Sequence, residues 1–223
     1  MAEPAGLDRR PIAARRLRVF QAMASWLARR GASANAISVA GMVCGLAAGA
    51  ALCGTARCPE HARALWAAAA ALVPLRLLAN MLDGMVALER GIASKVGELY
   101  NEVPDRVSDS AVLVGLGYAA GGHPAWGWAA ALAAMLTAYV RATGKAAGTR
   151  NEFCGPMAKQ QRMFFTIVTA AFCAAAPAPW QSFTLDGRPV GVPAAVLAFI
   201  TAGSLFTAAR RLARIAAALR NPA

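Results

Sequence analysis

Long apolar runs, rather than alternating ones, organise this chain. Six stretches carry few charges and predict helices: residues 36–53, 62–82, 97–120, 124–146, 159–176 and 191–209. A nearly uncharged run of about 18 residues or more, wound as an α-helix, spans the hydrocarbon of a bilayer. Alanine is only weakly lipophilic, so the second run leans on Leu65, Trp66, Leu72, Leu75, Leu77 and Leu78. The fourth leans on Trp126, Trp128, Leu132, Met135 and Leu136. Ahead of the first run, residues 11–30 place Phe20, Met23 and Leu27 on one helical face, with Val19 and Trp26 beside it and arginines around the rest. That pattern predicts a helix lying in the membrane interface; a basic soluble tail is the plainer alternative. The expected fold is an all-α integral membrane protein. It has one domain over residues 1–223, with six transmembrane helices preceded by an N-terminal interfacial amphipathic helix.

Composition agrees: 58% of the 223 residues are hydrophobic and 15% charged, with a net charge of +12. Such a basic balance invites a nucleic-acid reading. The distribution argues against one. Arg9, Arg10, Arg15, Arg16, Arg18, Arg29 and Arg30 precede the first run; Arg90, Lys95 and Arg106 surround the second connection. Arg141, Lys145, Arg150, Lys159 and Arg162 flank the fourth, and Arg210, Arg211, Arg214 and Arg220 close the chain. The alternate connections hold only Arg57, Arg63 and Arg188. This is the positive-inside bias of a multi-pass protein with both termini cytoplasmic, and no nucleic acid is expected as a partner. The Ala- and Arg-rich composition suggests a bacterial inner membrane.

Other features read as structure. Gly41, Gly45 and Gly49 form a doubled G-x-x-x-G, which lets helices approach closely. Residues 176–193 have the Pro and Gly content of an outer connection. Cys53 and Cys58 share one predicted outer loop and are expected as unpaired thiols. A Cys53/Cys58/His61 metal site lacks a fourth ligand.

The acids are not spread evenly. Of eleven, six lie between Asp83 and Asp109: Asp83, Glu89, Glu98, Glu102, Asp105 and Asp109. Asp105, Asp109 and Arg76 facing lipid together would cost on the order of 8–10 kcal/mol. They must face a polar cavity, one another or a bound cation. Asn80 and Asp83 are three apart and share a helical face, with Arg76 one turn above. Gly97, Asn101, Asp105 and Asp109 step by four along another. Two antiparallel spans joined by a short connection bring these faces together just inside the cytoplasmic boundary. Gathered carboxylate and amide oxygens suit a hard divalent cation, Mg2+ or Mn2+, which would attract a diphosphate. An ion-paired stripe of Arg76, Arg106, Asp105 and Asp109 that only holds helices together is the structural alternative.

At these residues the chain resembles the CDP-alcohol phosphatidyltransferase family, whose signature is D-x-x-D-G-x-x-A-R-x8-G-x-x-x-D-x-x-x-D. Asn80, Asp83, Gly84, Ala87, Leu88, Gly97, Asn101 and Asp105 fall on its eight fixed positions without a gap. The resemblance implies a membrane enzyme of phospholipid synthesis using a CDP-linked donor such as CDP-diacylglycerol. An acceptor hydroxyl attacks the β-phosphorus and CMP leaves. It implies Asp105 as catalytic base, and Asn80, Asp83, Asn101 and Asp105 as metal ligands. Gly84, Ala87 and Gly97 would sit beside the nucleotide. Asn80, Leu88 and Asn101 depart from the signature, removing two negative charges and one positive charge. Arg76 or Arg90 is the candidate replacement for the missing arginine at the donor.

Lys159 and Arg162, one turn apart, with Arg141 and Lys145 nearby, predict a cradle for a donor or acceptor phosphate. Anchoring beside anionic headgroups is the other reading. A Cys154 nucleophile is not expected, because no histidine lies on that side to activate it. The expected partners are the CDP-linked lipid, a small alcohol with or without a phosphate, the bilayer, and a second copy of the chain as a homodimer. A catalytically impaired relative that binds CDP-lipid, or a small transporter, are the competing readings.

Overall fold

The computed structural model describes residues 17–92, 95–185 and 187–220, and their side chains apart from those of 95, 96, 98–101 and 188. Among these residues are seven α-helices: α1 (Arg18–Arg29), α2 (Ala34–Arg57), α3 (Ala62–Glu89), α4 (Lys95–Gly117), α5 (Pro124–Ala146), α6 (Lys159–Ala175) and α7 (Val192–Arg220). The part of the expected amphipathic helix before residue 17 lies outside the described residues.

Two expectations need correcting. The connection 176–193 is not simply a loop: β1 (Ser182–Leu185) pairs antiparallel with β2 (Arg188–Gly191), Ser182 opposite Gly191. Phe183, Thr184 and Val190 supply the β-preferring residues there. The spans also end elsewhere. α3 continues to Glu89 rather than stopping near 82, and α7 runs to Arg220 rather than 209. Apolarity marks where a helix leaves hydrocarbon, whereas the backbone ladder ends only where a stop signal appears. For α3 that signal is Gly91, whose φ of +64° is the left-handed conformation glycine adopts at little cost. Around it the amide of Ile92 donates to the Ala87 carbonyl, closing the helix end.

α2, Pro59–Glu89 and α7 are long and apolar enough to cross a membrane. α4 carries Glu102, Asp105, Arg106 and Asp109, and α6 has only 17 residues. Large apolar side chains face outward on every long helix, including Val43, Leu75, Leu132, Phe164 and Phe206. In water such an apolar exterior would be a liability; in lipid it is the solvent-matched surface of a membrane protein.

α2 is central, packing on α3 and α4, while α6 lies against α3, and α5 bridges α4 and α7. The glycine stripe permits this. A Cβ at Gly41 would stand 2.9 Å from the Cβ of Ala79 in α3. One at Gly45 would overlap Ser108 in α4, and one at Gly49 would stand 2.5 Å from the Ala111 carbonyl oxygen. Because the obstacle at Gly49 is backbone, which cannot rotate aside, Gly49→Ala should destabilise the fold by about 1–3 kcal/mol. The measurement is the thermal midpoint in detergent; an unchanged midpoint would refute the close approach.

Candidate functional site

Three helix segments converge on one cavity. The first turns of α2 bring Ser38, Gly41 and Met42; the last third of α3 brings Arg76, Asn80 and Asp83; α4 brings Pro104, Asp105 and Ser108. The cavity encloses about 180 Å³ of empty space. Ser33 caps α2 by accepting from the Ala36 amide at 3.4 Å, which starts the helix where Ser38 falls one turn later, facing α3.

The cavity's polar groups are tightly connected. Ser38 donates its hydroxyl to Asp83 Oδ2 at 2.5 Å. Asp105 Oδ1 accepts from Arg76 Nη2 at 2.8 Å. The same nitrogen lies 2.7 Å from Asp109 Oδ1, and Arg76 Nε donates to Ser108 Oγ at 3.0 Å. Lys159, the first residue of α6, reaches in from a third side. Its ammonium donates to Asn80 Oδ1 at 2.6 Å and to Asp105 Oδ2. Arg106 approaches Asp105 Oδ2 at 3.9 Å. Asp83, Asp105, Asp109 and Arg76 are all buried.

Several expected site residues are therefore brought together: Asn80, Asp83, Asp105, Arg76 and Lys159. Gly84 is buried two turns beyond Arg76 on α3, Ala87 half-buried after it, and Gly97 half-buried in the first turn of α4. The side chain of Asn101 lies outside the described residues. Others are engaged elsewhere. Arg90 does not reach the cavity; it donates to the carbonyls of Ala32 at 2.8 Å and Gly31 at 3.3 Å, tying the end of α3 to the α1–α2 turn. Arg162 does not share a cradle with Lys159. Its guanidinium is buried, donating to the Met157 carbonyl at 2.9 Å and toward Thr137 Oγ1 at 3.4 Å. Arg141 pairs with Glu102 at 2.8 Å over the face of Phe153. Lys145 is exposed in the last turn of α5.

Three residues with roles here escaped the sequence reading. Ser38 and Ser108 look like ordinary helix serines; only Ser108's place three residues after Asp105 hinted at a shared face. Arg211 read as a topological charge but is buried, donating to the carbonyls of Cys154 and Thr137, each at 2.9 Å. Cys154 itself is no nucleophile: burial, then the neighbouring Glu152, pushes its thiol above the ordinary range, so little thiolate forms near neutrality.

Among the described residues no three or more His, Cys, Asp or Glu side chains form a metal-holding group. The donors that do converge, Asn80, Asp83 and Asp105, are hard oxygens, which fit a small divalent cation in kind. The Lys159 ammonium already lies between two of them, so that position attracts positive charge.

The comparisons with known proteins bear on this geometry. The family model for CDP-alcohol phosphatidyltransferase matches residues 32–208. A phosphatidylinositol phosphate synthase of Streptomyces avermitilis is 26% identical over 204 residues, covering 89% of this chain and 78% of that protein. One from Mycobacteroides abscessus is 27% identical over 177 residues, covering 75% of this chain and 74% of that protein. The crystal structure of Mycobacterium tuberculosis phosphatidylinositol phosphate synthase with CDP-DAG bound superposes with a TM-score of 0.71. It is 22% identical, covering 89% of this chain and 94% of that one. The same enzyme in complex with manganese and citrate gives a TM-score of 0.70 at 22% identity, covering 88% of each chain. These structural likenesses are likenesses of fold.

Proposed function

Because the chain belongs to the CDP-alcohol phosphatidyltransferase family, we propose that its cavity moves a phosphatidyl group from CDP-diacylglycerol to the hydroxyl of a small alcohol, releasing CMP. The observation that carries this reading is the convergence of Asn80, Asp83 and Asp105, from two neighbouring helices, on one cavity. The acceptor to test first is a phosphorylated inositol, since both relatives are phosphatidylinositol phosphate synthases. The site would lie at the cytoplasmic face of a bacterial inner membrane, in a bundle of six spans with α1 in the interface.

Asp83 and Asp105, with the amides of Asn80 and Asn101, would hold a divalent cation. Bound there, Mg2+ or Mn2+ would neutralise charge on the donor diphosphate. Asp105 would accept the proton of the acceptor hydroxyl on Oδ2, while Arg76 holds Oδ1 and so fixes the carboxylate plane. Ser38 holds Asp83 in the same way. Transfer of this kind depends on positioning and charge neutralisation more than on covalent help. Gly84 and Gly97 leave room for the nucleotide against the backbone.

A binding-only protein is the second reading. Its support is that Arg76 and Lys159 each engage an oxygen of Asp105. Purified protein with labelled CDP-diacylglycerol and a panel of alcohols separates the two. The expected result is CMP release that needs both an alcohol and Mg2+ or Mn2+, and stops with a chelator. Donor binding without release, across the panel and both metals, would reject the transferase reading.

A further inference from the structure

Lys159 is the one group at the cavity that neither the apolar pattern nor the signature accounts for. It comes from the far end of the α5–α6 connection, yet its ammonium joins three helices: its own α6, α3 through Asn80 and α4 through Asp105. An ammonium seeking only a counter-ion would need Asp105 alone. This one also takes a neutral amide oxygen, at 2.6 Å, from a position where the signature expects a metal ligand. A compact ammonium with three donors can sit between converging oxygens much as a small cation does.

Charge points the same way. Asp83, Asp105 and Asp109 carry three negative charges, and Arg76, Arg106 and Lys159 return three positive ones at ion-pair distance from Asp105 or Asp109. This cluster is already neutral. Cation affinity at oxygen sites follows the number of charged ligands. Two divalent ions would add four positive charges where residues 80 and 101 are both neutral amides. One ion, carried by Asp83, is what this composition can balance.

We propose that Lys159 fills one of two cation positions itself, so that the site takes a single divalent ion, with the Asn80–Asp105 position held by the protein's own ammonium. This rests on the transferase reading for the site's purpose, but not for its test. Asn80 then follows from Lys159: an amide is enough to hold an ammonium, and a carboxylate there would have no second metal to bind.

The test counts Mn2+ by electron paramagnetic resonance on the purified full chain in detergent, without nucleotide. The wild type should bind one Mn2+ per chain. Lys159→Met should bind two, and Lys159→Arg one. Asn80→Asp alone should still bind one, because the new carboxylate faces the retained ammonium; this arm stands even if Lys159→Met does not fold. Two ions in the wild type or in Asn80→Asp, one in a folded Lys159→Met, or none in the wild type would each overturn the proposal. CMP release is scored separately. A wild type that binds one ion but releases no CMP supports the cation substitution and counts against the transfer reaction alone.

Discussion

Asp105→Asn is expected to slow CMP release by about 10²–10⁴-fold, the usual contribution of a positioned general base. The exchange is nearly isosteric. The side-chain oxygen facing Arg76 Nη2, now at 2.8 Å, can remain an acceptor, so Arg76 keeps its main contact on α4. What disappears is the negative charge on the oxygen shared with Lys159, and with it the only motif acid besides Asp83. The loss should fall on kcat, with the apparent KM for the donor changed by less than about threefold, because a base acts only as the acceptor proton moves. Single-turnover CMP release with saturating donor and acceptor measures it. A variant that keeps more than a tenth of the wild-type rate would show that another group, or solvent, takes the proton. The pH profile adds a second readout. If Asp105 is the base, the acidic limb of the wild-type profile should vanish in the variant rather than merely shift.

How much of this was readable in the chain depends on whether a feature is local. α5 occupies 124–146, the same bounds as the fourth apolar run, because His123-Pro124 and Gly148 punctuate it in sequence. The pairing of Asn80 and Asp83 with Asp105 was also readable, since two antiparallel helices joined by a short connection can meet in few ways. Lys159 and Arg162 mark the limit. Their spacing put them correctly on one helix face, yet the first residue of a helix and one a turn further in reach different neighbours. Lys159 meets α3 and α4, while Arg162 is absorbed by Met157 and Thr137. Which group a long side chain meets depends on how α6 packs on α3, and no periodicity encodes that. Arg90 failed for the same reason. Its candidacy rested on closeness in sequence to the missing arginine at 88, but the end of α3 turns it toward the α1–α2 turn. Ser38 was invisible because a serine in a first helical turn ordinarily answers to capping.

Arg76 presents the sharpest choice between the two sequence readings, and its variants should separate them. Arg76→Ala is expected to cost about 3–5 kcal/mol of stability, the range for removing one partner of a buried ion pair. The side chain is 1% exposed and bonds to the side chains of Asp105, Asp109 and Ser108, and at 3.1 Å to the Asp105 carbonyl. That carbonyl sits just after Pro104, inside α4, where proline cannot donate to the helical ladder. Asp109 depends on Arg76 most: its Oδ2 has no hydrogen-bond partner among the described residues. Deleting the guanidinium would leave a buried carboxylate facing an apolar hole. If this is the source of the cost, Asp109→Asn in the Arg76→Ala background should restore at least a third of the lost stability, although alone it should destabilise. A donor-binding arginine predicts otherwise: near-wild-type melting, weaker CDP-diacylglycerol binding, and no repair by a change at Asp109. Thermal unfolding of the four proteins in one detergent, followed by tryptophan fluorescence, gives the coupling between the two sites directly. A coupling within about 0.5 kcal/mol of zero would return Arg76 to the donor and leave Asp109 without a structural counter-ion.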